Sequence, residues 1–100
     1  MSDLNPPPPY AVLAKDRLDE LAARSDVPHW VFLEVDYWVR DLAHNPRQEP
    51  ARRLRTTSHG DEVWSVHLAE LRISLSYIIF ESGAFASAPW VWLRSPIRVF

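Results

Sequence analysis

Val63–Phe80, VWSVHLAELRISLSYIIF, decides the fold. Trp64, Val66 and Leu68 alternate with Ser65 and His67. Leu71, Ile73, Leu75, Tyr77 and Ile79 then alternate with Arg72, Ser74 and Ser76. Alternation with period two is the mark of strands that bury one face and leave the other open. Only Ala69 and Glu70 separate the two runs, and the simplest connection is a two-residue hairpin. That register sets Leu68 opposite Leu71, Val66 opposite Ile73 and Trp64 opposite Leu75 on the buried face. On the open face it sets His67 opposite Arg72 and Ser65 opposite Ser74. A slip of one residue would invert both faces, so the apolar pairs support one another.

The rest of the chain supplies a cover for the buried face. Tyr10–Leu13 is short and β-friendly, an expected edge strand. In Asp16–Arg24, Leu18, Leu21 and Ala22 follow Ala14 at helical spacing, with Lys15, Asp19, Glu20 and Arg24 toward solvent. Ser25 and Asp26 form the next start signal, and Pro28 suits the first turn of a second helix over Pro28–His44. There Val31, Val35, Trp38 and Leu42 make one stripe, and Trp30, Phe32, Leu33, Tyr37 and Val39 add apolar surface beyond it. A helix this apolar around its circumference needs cover on a second side, from a partner protein or from the preceding helix. Asn45-Pro46 ends it.

Arg47–Gly60, RQEPARRLRTTSHG, reads as a polar connection, with Leu54 tucked inward if it is a solvated loop. Arg47, Arg52, Arg53 and Arg55 make it the one locally basic segment. It is either a solvated loop or a contact for phosphate or an acidic partner. Glu81–Pro89 reads as a loop turning at Ser82 and Gly83. Trp90–Arg94 reads as a third strand, and Ile97–Phe100 as a tail that extends the edge beyond Pro96. The order is strand, helix, helix, basic loop, three strands. It predicts an α+β fold, with two N-terminal helices on one face of a small antiparallel sheet that has a mixed edge. Residues 1–9 form a proline-rich tail and residues 10–100 one domain. Pro6–Pro9 serves as a stiff lead-in or as a polyproline ligand for an aromatic groove.

Composition bounds the function. The chain has 100 residues, 47% of them apolar and five of them tryptophan, enough for one globular core. Without cysteine there is neither a disulfide framework nor a thiolate metal site. His29, His44, His59 and His67 show no metal-ligand spacing, and Gly60 and Gly83 alone make no phosphate loop, so neither metal nor cofactor is expected. No apolar run reaches membrane-spanning length, and MSDLNPPPPY lacks signal-peptide regions, so a cytoplasmic protein is expected. A net charge of -2 gives no global pull toward nucleic acid. The cations are ten arginines and one lysine, a bias that suits phosphate forks and that genomic base composition also produces.

In this order, a strand feeding AKDRLDEL, a helix ending LAHNP, the segment RRLR, the strand WSVHL, then LRISLSYII and WVWLR resemble the RelE/ParE superfamily of bacterial toxin–antitoxin toxins. The resemblance runs from about Tyr10 to Arg94. It implies a RelE-like fold and neutralisation by a cognate antitoxin protein. It also implies one of two activities, ribosome-dependent cleavage of mRNA or non-enzymatic poisoning of DNA gyrase. Arg72 matches the family's arginine after the hairpin turn. His67 and Ser65 match two outward positions of the preceding strand, Arg94 the basic end of the last strand, and Arg52, Arg53 and Arg55 the basic stretch before the sheet. On the ribonuclease reading His67 is the acid/base and Arg72 the phosphate clamp. Arg52, Arg53, Arg55 and Arg94 align RNA, and Trp30, Val31, Tyr37 and Trp38 face the antitoxin. The alternative is a non-enzymatic binding domain of the same fold, either a ParE-like gyrase poison or a degenerate member that has lost toxicity.

Overall fold

A computed structural model describes residues 8–81 and 89–100. Two helices and a six-stranded mixed sheet make the α+β fold that the sequence predicts. Strand β1 (Ala11–Leu13) leads into helix α1 (Lys15–Ala22) and helix α2 (His29–Asp41). Strands β2 (Arg52–Thr56), β3 (Glu62–Leu68) and β4 (Ile73–Phe80) follow, then β5 (Trp90–Trp92) and β6 (Arg98–Val99). The strand order is β1-β5-β4-β3-β2, with β6 beside β4. All pairs are antiparallel except β1 with β5 at the edge. The turn expected at Ser82 and Gly83, and the first part of the proline-rich tail, lie outside the described residues.

Alternation places the core as expected. Val66, Ile73, Leu75, Tyr77, Ile79, Val91 and Leu93 share one buried cluster with Leu21 of α1, with Val31, Val35 and Val39 of α2, and with Leu42 at its C-terminal cap. Both helices therefore cover the same face of the sheet. The stripe on α2 is turned slightly from the expected one: Val39 is fully buried, and Trp38 is partly buried against Tyr77, ring centroids 6.3 Å apart. Each fully buried aliphatic side chain in this layer contributes roughly 1.5–3 kcal/mol relative to exposure. The Tyr77 hydroxyl, deep in the core, donates to the Pro46 carbonyl at 2.6 Å. A buried phenol must find such an acceptor.

The hairpin register differs from the expected one by two residues. Leu68 pairs with Ile73, Val66 with Leu75, Trp64 with Tyr77, and His67 with Ser74. The connection is longer than two residues: Ala69–Leu71 form a 3-10 turn, and Arg72 follows with φ 58° and ψ 41°. A shift of two keeps every side chain on its face, so face-matching does not distinguish the two registers. Arg72 is consequently a turn residue in left-handed backbone, outside the ladder and not opposite His67. Its N–H donates to the Ala69 carbonyl at 3.1 Å, and its carbonyl accepts from the Phe100 N–H at 2.9 Å. The turn and the C-terminal segment thus hold each other.

The segment expected as a loop contains β2. Its register against β3 slips between Arg53 and Arg55, a bulge at Leu54. Leu54 is 58% exposed and does not tuck inward. A bulged edge strand rich in arginine resists pairing with another chain. Arg47 is the hub that ties this side of the fold together. Its guanidinium makes a two-pronged contact with Glu62, 3.1 Å on each prong, and reaches Glu81 at 3.0 Å and the Tyr10 hydroxyl at 3.2 Å. The Tyr10 hydroxyl also donates to Glu81. The hub fastens the loop after α2 to the lead of β1, the start of β3 and the end of β4. Hydrogen bonds from Arg47 hold both glutamates below the ordinary value of 4.5.

A carboxylate whose folded value is depressed stabilises the fold above its ordinary value and loses that contribution as pH falls through the folded value. The melting temperature should therefore fall as pH drops below about 4.5. Arg47→Met should lower it at neutral pH and flatten that acid limb, as measured by thermal denaturation across pH. Left-handed backbone costs an L-residue about 1–2 kcal/mol, a cost glycine escapes. Arg72→Gly should thus be neutral or stabilising by up to about 1 kcal/mol, and Arg72→Val destabilising by about 1–2 kcal/mol, read from urea unfolding.

Candidate functional site

The open face of the sheet is built from the outward positions of five strands. Cross-strand partners point to the same side, so register assigns rows. His67, Ser74 and Arg98 form one row across β3, β4 and β6. Arg52, Ser65 and Ser76 form the next across β2, β3 and β4. Arg55, Val63, Ile78 and Trp92 form a third. Neighbouring rows lie about 7 Å apart along the strands.

The face has two ends of different chemistry. At one end Ile78 is buried although it points away from the helices. Phe80 stacks on Trp90 at 4.3 Å and lies 6.5 Å from Trp92, so aromatic rings cover this end of the sheet. At the other end a shallow groove of about 330 Å³ is lined by Leu54, Ser65, Ser74, Ser76, Arg98 and Phe100, among others. Serine hydroxyls donate and accept, and arginine donates a fork of N–H groups, a combination suited to phosphate oxygens.

Charge is segregated by face. The chain is acidic overall, yet the three rows carry Arg52, Arg55, Arg98 and His67 and no carboxylate. Among the described residues none of these three arginines makes a salt bridge. Arg47, counted with the basic segment from the sequence, is instead consumed by Glu62 and Glu81. Arg53 pairs opposite Trp64 and so lies on the helix side, where its charge helps hold Glu62 ionised.

His67 is exposed, as expected, and its ring meets Phe100 nearly edge-on, 5.1 Å between centroids and 73° between planes. Its row partner across Ser74 is Arg98, not Arg72. Two strand spacings separate the backbones of His67 and Arg98, about 10 Å. A phosphate group resting over Ser74 would lie between them. Arg98 escaped the sequence reading because the pairing of β6 with β4 is non-local and only two residues long. Arg94 follows β5, exposed, and its carbonyl accepts from Arg17 at 2.8 Å. Of the four residues expected to face a partner, Trp30 and Tyr37 are well exposed, Trp38 is half-buried, and Val31 belongs to the core. Among the described residues no three His, Asp or Glu side chains come together to hold a metal ion, and no helix is long and apolar enough to cross a membrane.

No protein-family model, curated protein or solved structure matches this chain. The contact between His67 and Phe100 is directly measurable. Phe100→Ala should move the His67 ring-proton resonances and leave those of His29 and His59 in place, as read by proton NMR.

Proposed function

We propose that this chain is a RelE/ParE-like toxin that acts on RNA through the open face of its sheet and is held in check by a protein partner. One observation carries the reading: an acidic chain presents a face on which every charged residue in register is a cation and serines fill the space between. Counterion release rewards such a face for meeting a phosphate backbone, whatever the net charge elsewhere. The order of elements and the placement of both helices on one face agree with what the sequence resemblance implies, which supports the same reading.

In the ribonuclease version, a phosphate lies over Ser74. His67 takes the proton from the 2′-hydroxyl or delivers one to the leaving oxygen. Arg98 fills the clamp role that the sequence reading gave to Arg72 and stabilises the negative charge that develops on the phosphorane oxygens. Arg52 and Arg55 hold the flanking backbone, and Ser65 and Ser76 donate to it. A second version, phosphate gripping without chemistry, draws support from a specific feature. His67 is the one imidazole of the three rows, with no carboxylate beside it to share the acid/base work, and Phe100 lies against its ring.

Expression in a bacterial host separates these versions. Growth arrest with loss of intact mRNA, abolished by His67→Ala and by Arg98→Ala but not by Arg72→Gly, is expected for the ribonuclease. Arrest that survives His67→Ala without mRNA loss would assign a binding poison, with gyrase as the target to assay. Absence of both arrest and RNA binding would overturn the proposal. In binding assays with single-stranded RNA, Arg98→Ala should reduce the slope of log affinity against log salt by about 0.7, the share of one phosphate contact.

A further inference from the structure

The other unexplained surface lies around the edge of the sheet, on α2. Trp30, Leu33 and Tyr37 recur at spacings of three and four and are 59%, 51% and 74% exposed. They form a stripe on the side of the helix away from Val31, Val35 and Val39. Isolated exposed apolar residues are ordinary, but a continuous stripe of this kind marks a contact surface.

Beside the stripe, a hollow of about 470 Å³ separates α2 from the turn between β3 and β4. Tyr37, Trp38, Leu68 and Leu71 form its apolar walls. The charged and titratable groups that line it are Glu34 on α2, Glu70 in the turn and His67 at the end of β3. A second hollow of about 290 Å³ shares Glu70 and Leu71 and continues past Trp30 to Val99 and Phe100. It adds Asp26 and Arg72. Asp26 is already paired with Arg24 at 2.6 Å. Among the described residues Glu34 and Glu70 have no salt bridge and no side-chain hydrogen bond. Two unpaired carboxylates thus flank an apolar groove, one on each wall.

We propose that this groove docks a basic amphipathic segment of a partner protein. Its apolar residues seat on Tyr37, Trp38, Leu68 and Leu71, and its lysines or arginines meet Glu34 and Glu70. Apolar anchors give the contact its affinity, and charge complementarity at the rim selects the partner and its direction. A cation over Tyr37 or Trp38 also gains from the ring face. An acidic segment would set its charges against both glutamates, and an anionic lipid surface is disfavoured on the same ground. The inference rests on the partner half of the proposed function and deepens it, and His67 lies on both the groove and the open face.

The test uses the full chain and two synthetic amphipathic peptides with the same leucines at helical spacing, one carrying lysine and the other glutamate at the polar positions. Titration by calorimetry and tryptophan fluorescence should show the lysine peptide binding at least about tenfold more tightly. Glu34→Lys/Glu70→Lys should reverse the preference, and Tyr37→Ala should weaken the lysine peptide several-fold. Asp16→Asn/Asp61→Asn, which changes net charge away from the groove, should leave the preference in place. Equal binding of the two peptides overturns the proposal. So does a charge-reversed protein that still prefers lysine, or a control variant that loses as much as the groove variants. Circular dichroism of each variant shows that it is folded. RNA binding by Tyr37→Ala, which leaves the charge unchanged, should stay at the wild-type level, so failure of the groove and failure of the open face are separate results.

Discussion

β4 pairs with three other strands, and its register against them fixes what each face of the molecule contains. β3 lies along one side of it, and β5 and β6 divide the other side between them. Every second residue of Ile73–Ile79 enters the core under the helices, and the intervening Ser74 and Ser76 stay outward. The three partner strands inherit this division because a cross-strand neighbour shares a face. His67 and Arg98 come into one row only because both are held opposite Ser74. The left-handed backbone of Arg72 and the hydrogen bond from Phe100 to its carbonyl set where β4 begins and bring β6 alongside.

At the other end of the sheet, Arg47 acts with the opposite electrostatic sense to the open-face arginines. It sits among Glu62, Glu81 and Tyr10 and joins parts of the chain far apart in sequence. A charge-assisted fork of this kind is shape-specific as well as attractive. One arginine of the basic segment is thereby structural, and one, Arg53, is turned to the helix side. Arg52 and Arg55 remain for the open face. The acidic residues among those described lie on the helices, the turns and the hub, so a net charge of -2 coexists with a face whose in-register charges are all cations. The global count averages over surfaces that point in opposite directions.

The faces of the sheet were legible in the sequence because alternation reports them directly. Val66, Ile73, Leu75 and Tyr77 are buried as that pattern requires, and Ser65, His67 and Ser74 face outward. The register was not legible. Registers two residues apart are equivalent by period, and the turn that decides between them depends on an arginine in a conformation more usual for glycine or asparagine. β2 was hidden by its composition, since RRLRT has no buried position and carries a bulge. Arg98 was hidden by distance along the chain. The apolar surplus of α2 was visible, but its division between core and exposed stripe needed the rotation of the helix on the sheet. Val31 went inward, whereas Trp30 and Tyr37 stayed out.

The function proposed for this chain requires the open face to be the surface that meets RNA. Amide chemical-shift mapping of the labelled protein during titration with a short single-stranded oligoribonucleotide tests this most directly. RNA seated on the open face should place the largest shifts on Ser65, His67, Ser74, Ser76 and Arg98, with α1 and the exposed stripe of α2 unmoved. Shifts centred on the helices, or none at concentrations where RNA is in large excess, would contradict it.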